Sequence, residues 1–200
     1  MRVWFWLARP GMLWHRLRYW AWERLNPNKP WLCPGTVRFL EHNLSGDMQA
    51  VEFGSGRSTH WFASRVGRLT SIEHDAAWHR VVTGQLAASR VQNVEYLHIP
   101  LDHDVGEGER PTYDPLPRYV AAIDRFPDRS LHLVIIDGHY RTNCVRRTVP
   151  KLAHGGLLLV DDINLWPDPS ALPVPSNWVI VDDSTNGIKR AIIWRACWEN

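Results

Sequence analysis

Ala50-Val51-Glu52-Phe53-Gly54-Ser55-Gly56-Arg57-Ser58-Thr59 is the stretch on which the fold turns. An apolar strand ends in a carboxylate, passes two glycines at alternate positions, and starts a helix. Glycines at such a turn let backbone N–H groups come close to a ligand. The helix start at Ser58 and Thr59 adds free N–H groups and a positive dipole end. The turn therefore reads as a holder for a nucleotide-like cofactor, and Glu52 helps to say which kind.

A dinucleotide-binding turn has the form G-x-G-x-x-G. Here the third glycine position is Thr59, so that pattern fails. Glu52 would also set a negative charge near a pyrophosphate, whereas a carboxylate there suits a cationic amino group. The loop resembles motif I of the class I S-adenosylmethionine-dependent methyltransferases, roughly E/D-x-G-x-G-x-G, with Ser58 at the third glycine. That resemblance implies a cofactor with an α-amino group, a sulfonium and no phosphate. Taken alone, the motif is also compatible with a tight turn that holds no ligand.

The chain has 200 residues, a length suited to one domain with a sizeable core. Lys and Arg number 23 against 21 Asp and Glu, a formal net charge of +2, which does not imply a general nucleic-acid surface. Cys33, Cys144 and Cys197 are scattered without a C-x-x-C pair. This disfavours a disulfide framework or a structural zinc site and fits a reducing, cytoplasmic compartment. His98 and His103 flank a proline and read as surface or capping residues more readily than as metal ligands.

Around the glycine loop, apolar runs and amphipathic segments alternate. Thr36–Asn43 reads as a short helix and Met48–Phe53 as the first strand. Leu69–Glu73, Asn93–Ile99, Leu131–Ile136 and Leu157–Val160 read as further strands. Trp78, Val81, Val82 and Leu86 predict a helix face on the sheet. The loop Pro100–Pro115 is long enough to be a lid. At the end, Asp183-Ser184-Thr185-Asn186-Gly187 between two β-rich runs predicts a hairpin. Alternating strands and helices imply a doubly wound parallel sheet with right-handed crossovers. The expected fold is α/β, a Rossmann-like, mostly parallel seven-stranded sheet closed by an antiparallel hairpin. That order resembles the class I methyltransferases from Met48 to Trp194.

Ligands of such sheets sit beyond the carboxyl ends of the strands. The cofactor candidates are therefore Glu52, Gly54, Ser55, Gly56 and Ser58, then Glu73 and His74 at the end of strand two, Asp102 after strand three, and Asp137 after strand four. The resemblance gives Glu73 the ribose hydroxyls and Asp102 a place near the adenine. In the strand order that the resemblance implies, strands four and five are neighbours, so Asp137 would converge with Asp161 and Asp162, and like charges that close need compensation. A divalent cation such as Mg²⁺, held by Asp137, Asp161 and Asp162, would supply it. The arrangement is similar to the cation-dependent small-molecule O-methyltransferases of the catechol and caffeoyl-CoA type. It departs from them in carrying Asp162 for an asparagine, and His139 and Arg141 in place of a nearby lysine. His139, with Asp137, is the candidate for acid–base work.

The expectation is a methyltransferase acting on a small-molecule hydroxyl, with S-adenosylmethionine as cofactor and no nucleic-acid partner. A non-catalytic cofactor-binding module and a nicotinamide-dependent oxidoreductase are the alternatives. Tyr113, Tyr119, Tyr140 and Trp166 are candidates for an acceptor pocket, and Trp166-Pro167-Asp168-Pro169 for a specificity loop. Residues 1–30 read as a Trp- and Arg-rich helical extension, and residues 31–200 as the methyltransferase-like domain. The apolar run Val3–Ala8 is too short to span a bilayer and, followed by Arg9-Pro10, makes a poor signal peptide. The extension reads as a cap or homodimer contact, or as a peripheral membrane contact.

Overall fold

A computed structural model describes residues 10–166 and 168–199, so the Val3–Ala8 run and Pro167 lie outside the described residues. Two helices, α1 (Pro10–Leu25) and α2 (Pro34–Asn43), precede the sheet. Strands and helices then alternate: β1 (Gln49–Phe53), α3 (Arg57–Ala63), β2 (Arg68–Glu73), α4 (Ala76–Ala88), β3 (Val94–His98), α5 (Arg118–Ala121), β4 (Leu131–Ile136), α6 (Arg141–Thr148) and β5 (Leu152–Val160). The antiparallel pair β6 (Val179–Thr185) and β7 (Arg190–Arg195) closes the sheet. Strand order is β3-β2-β1-β4-β5-β7-β6, and the topology is the one expected from the alternation.

The central strands are apolar because both faces are covered. Leu133, Val134, Ile135 and Ile136 of β4 and Leu158, Leu159 and Val160 of β5 are all buried. Two core layers flank the sheet, one around Phe53, Tyr119 and Ile136, the other around Leu40, Phe62 and Leu69. Burying a Leu or Phe side chain is worth roughly 1.5–3 kcal/mol, so these layers, rather than local propensity, hold the short helices in place.

Three details differ from the sequence reading. Gly155 and Gly156 lie inside β5, at a register irregularity against β4, because Gly155 takes a left-handed φ of 79°. The hairpin turn is Asn186–Lys189, so β6 runs on through Asp183, Ser184 and Thr185. On α4, Val82 and Leu86 are buried, but Trp78 and Val81 face outward, leaving a narrower apolar face than their spacing suggested. Among the described residues, no helix is long and apolar enough to cross a membrane.

Candidate functional site

The switch point lies between β1 and β4, whose first neighbours diverge to opposite sides of the sheet. Here two glycines bring the strand ends together. Gly54 has φ +89°, and a Cβ on it would lie 2.7 Å from the Gly138 backbone nitrogen. A Cβ on Gly138 would in turn meet the Tyr119 hydroxyl at 2.1 Å and the Gly54 nitrogen at 3.0 Å. Only glycines fit this crossing. Above it opens a cleft of about 780 Å³, lined by Gly54, Ser55, Glu73, His74, Trp78, Glu109, Asp137, His139, Arg141 and Trp166, among others. A smaller cavity beside it, about 210 Å³, is lined by Trp31, Gly56, Ser58 and Asp137.

The glycine loop is fixed by carboxylates from β1 and β2. Glu52 does not line the cleft. It is fully buried and accepts hydrogen bonds from the hydroxyls of Ser58 at 2.5 Å, Thr59 at 2.7 Å and Ser71 at 2.6 Å. The register Glu52↔Ser71 explains the last of these. Burial raises its pKa to about 7 against the pull of those three hydroxyls. Glu52 thus anchors the loop from beneath, and the expected contact with a cationic amino group is replaced by three neutral donors.

Glu73 does line the cleft, although its carboxylate is engaged. Oε2 accepts from the Ser55 backbone N–H at 3.0 Å and the Ser55 hydroxyl at 2.7 Å; Oε1 accepts from the N–H groups of His74 and Asp75. Burial works against its charge, but the donors from His74, Asp75 and Ser55 outweigh it and lower its pKa to about 2. Glu73 is therefore an ionised acceptor, and the Ser55 hydroxyl is the one donor that a sugar hydroxyl can replace in kind. Trp78 braces this rim through its indole N–H, 2.9 Å from the Ser55 carbonyl.

Asp102 lies away from the cleft. Its carboxylate accepts from the Arg118 backbone N–H at 2.6 Å and the Arg118 guanidinium at 2.8 Å, which holds the start of α5. Asp102 does not line the cleft where the adenine contact was expected. The long loop instead sends Glu109 to the start of α6, where it accepts from the N–H groups of Thr142 and Asn143. His98 bonds the His74 carbonyl and His103 packs on Tyr113, so both sit at the rim. Tyr119 is fully buried in the core, while Tyr140 and Trp166 line the cleft.

At the other end, the carboxylates of Asp137, Asp161 and Asp162 come within 4.8 Å of one another. Burial and the Asp161 charge raise the pKa of Asp137, with Arg141 and Lys189 opposing. Burial raises that of Asp161, opposed by Lys189. Two cations from within the chain enter this group. The Lys189 ammonium is 2.5 Å from Asp161 Oδ2 and 3.7 Å from Asp162 Oδ1. The Arg141 guanidinium is 3.2 Å from Asp137 Oδ1 and 3.7 Å from Asp162 Oδ2, and it also bonds the Asp161 and Gly138 carbonyls. The sequence argument for Mg²⁺ assumed uncompensated repulsion, and Lys189 removes that premise. With an ammonium lodged among the donor oxygens, the set does not fit an octahedral ion that keeps its own water shell.

Sequence reasoning missed Lys189 because it closes the hairpin turn, far along the chain from Asp161. The antiparallel register Val160↔Ile192 is what returns it. His139 sits between the two ends, its ring 4.4 Å from that of His74. Burial, His74 and Arg141 lower its pKa, so the imidazole is neutral near pH 7.

No curated protein sequence matches the chain. Among the solved structures that share the fold are the following three. A methyltransferase-like protein from Silicibacter pomeroyi has 22% identity and a TM-score of 0.56, over 83% of this chain and 88% of that one. An rRNA methylase from Streptococcus thermophilus has 10% identity and a TM-score of 0.58, over 80% and 94%. A SAM-dependent methyltransferase from Aquifex aeolicus has 11% identity and a TM-score of 0.52, over 82% and 90%. The family model described as a methyltransferase domain matches residues 51–163, more than half of the chain, and the chain belongs to that family.

Proposed function

We propose that the chain transfers the methyl group of S-adenosylmethionine to a hydroxyl of a small-molecule acceptor, with His139 as general base. One observation carries this reading. A single cleft runs from an ionised acceptor, Glu73, beside a glycine turn to a neutral imidazole, His139, next to Asp137 and Arg141. Glu73, Ser55 and the loop N–H groups suit the ribose and amino-acid ends of the cofactor, and Ser58 and Trp31 frame the adjoining cavity. When bound, the cofactor supplies a sulfonium-activated methyl group, and attack by the acceptor oxygen forms a C–O bond as the C–S bond breaks.

The remaining work falls to the chain. His139 takes the acceptor hydroxyl's proton, and a base neutral near pH 7 can do so without prior deprotonation. Arg141 and Lys189 hold the aspartate rim and keep its charge from repelling the developing oxyanion. Trp166 and Tyr140 offer apolar surface for the acceptor. On this reading the chemistry needs no added cation. Residues 1–30 form an extension and residues 31–200 the transferase domain.

The test is transfer of labelled methyl to phenols, catechols and sugars, with and without chelator. His139→Gln should lower turnover by about 10²–10⁴-fold while cofactor affinity, read by calorimetry, stays near wild type. Unchanged turnover in that variant removes His139 as the base. Turnover abolished by chelator and restored by Mg²⁺ returns the metal to the site. Cofactor binding with no transfer to any of these acceptors favours a non-catalytic module.

A further inference from the structure

The outer face of α1 is the largest unexplained feature of the molecule. Trp14 is 61% exposed, Leu17 51%, Trp20 45% and Leu25 81%, and at helical spacing they form one stripe with Ala21. Arg16 and Arg18 are exposed along its edges, and Arg24 is exposed within it, between Leu17 and Trp20. The Arg24 guanidinium lies 4.1 Å from the Trp20 ring centre, so charge and aromatic surface are held together. Arg16, Arg18, Arg24 and Arg38 have no acidic partner within 4.0 Å among the described residues, and the acidic residue of the helix, Glu23, is half-buried off the stripe. The helix packs its other side on the core, with Tyr19 buried and the His15 ring against Gly187 in the hairpin turn.

Behind the stripe lies a further cavity, about 550 Å³, between α1, α2 and the β6–β7 turn. Arg18, Tyr19, Trp22, Arg38, Ser184 and Asn186 line it together with Asp183, whose carboxylate is paired with the Arg190 guanidinium at 2.6 Å. The Asn186 side-chain N–H group is buried and has no partner among the described residues. Arg18 belongs to both features, since it borders the stripe and reaches the cavity.

The structure assigns this face to an anionic lipid surface. The stripe lies at the headgroup–acyl boundary, the edge arginines meet lipid phosphates, and Arg18 and Arg38 admit one headgroup to the cavity. Charge complementarity selects this occupant over a second copy of the chain, because two such faces would bring six arginines together without an acid between them. An apolar stripe of large aromatics edged by unpaired guanidinium groups is the chemistry of interfacial helices, and lipid phosphate is a bidentate partner for arginine. The assignment does not depend on the transfer reaction.

Sedimentation of the full chain with lipid vesicles tests it. The chain should pellet with vesicles of phosphatidylcholine mixed with phosphatidylserine, remain in solution with phosphatidylcholine alone, and release as salt is raised. Arg18→Glu with Arg24→Glu should weaken partitioning by roughly tenfold or more. Leu17→Ala with Trp14→Ala should weaken it too. All four positions are exposed, so an unchanged thermal midpoint confirms that the variants are folded. Arg38→Glu alone should weaken binding and leave the stripe intact. Equal binding to neutral vesicles, no binding to either, or variants that partition like wild type would overturn the assignment. A concentration-dependent dimer that the Leu17 variant loses, without vesicle binding, would give the stripe to a second copy.

Discussion

Two carboxylates at strand ends on either side of β4, Glu52 on β1 and Asp161 just past β5, are both fully buried, and the protein handles them in different ways. Glu52 meets three neutral hydroxyls, all within twenty positions of it along the chain, and its pKa rises to about 7. Asp161 meets a cation, Lys189, brought back by the terminal hairpin. Burial raises the pKa of both, but neutral donors alone oppose it at Glu52, whereas an opposite charge opposes it at Asp161. The first arrangement stiffens a loop and leaves the cleft above it free of charge from below. The second builds an ionic rim where an acceptor would be held.

The difference predicts unequal fragility. Lys189→Met leaves Asp161 buried beside Asp162 and Asp137 with only Arg141 near, and removing one partner of a buried pair costs about 3–5 kcal/mol. Urea unfolding should show this loss, and Asp161→Asn added to the same chain should recover most of it. If the double variant is no more stable than Lys189→Met, the pair is not what holds this end together. Gly54→Ala comes next. A left-handed φ together with a Cβ 2.7 Å from backbone should cost about 2–3 kcal/mol. Measured by the same unfolding curves, a loss below that of an ordinary surface substitution would mean that the β1–β4 crossing can open.

A third test moves from stability to binding. Glu73→Ala removes the ionised acceptor at the cleft and should weaken S-adenosylmethionine by about 1–3 kcal/mol in calorimetry. Ser55→Ala should matter less, because it removes a donor that the ribose would itself replace. A Ser55 variant weaker than the Glu73 variant would reverse the assignment of the ribose contact.

What could be read from the sequence was whatever the chain settles locally. The strand–glycine turn–helix at Glu52–Thr59, the alternation that gives a doubly wound sheet, and the Asn-Gly hairpin all lie within short windows where period and turn chemistry decide. The meeting of Asp137 with Asp161 and Asp162 is not local, and it could be read only through the strand order that the methyltransferase resemblance implies. Lys189 could not be read, since it reaches Asp161 only through the β5–β7 register and the exact length of the hairpin turn. Glu109 was hidden likewise in a loop without periodicity. Glu52 was placed at the right strand end but not on the right side of it. A strand shows which residues share a face, and it leaves open whether hydroxyls from the next helix will enclose one of them.

One further test bears directly on that last point. If Glu52 is enclosed by hydroxyls, its folded-state pKa of about 7 lies above the ordinary glutamate value of 4.5. A raised pKa means that the folded state binds the proton more tightly than the unfolded chain. The associated stability is therefore fully present below about pH 4.5 and is lost as pH rises through 7. Glu52→Gln cannot titrate, so its stability relative to wild type should improve between pH 5 and pH 8. At low pH the variant should be the less stable by about 1 kcal/mol, since an amide cannot accept from three hydroxyls as a carboxyl group can. Glu73 works in the reverse sense, with a pKa lowered to about 2 and a contribution lost only as pH falls below 4.5, so it does not blur this window. Chemical unfolding of both proteins at pH 5, 6.5 and 8 separates the cases. Parallel stability profiles would mean that Glu52 is ionised throughout and that some cation reaches it, which would make the two strand ends alike after all.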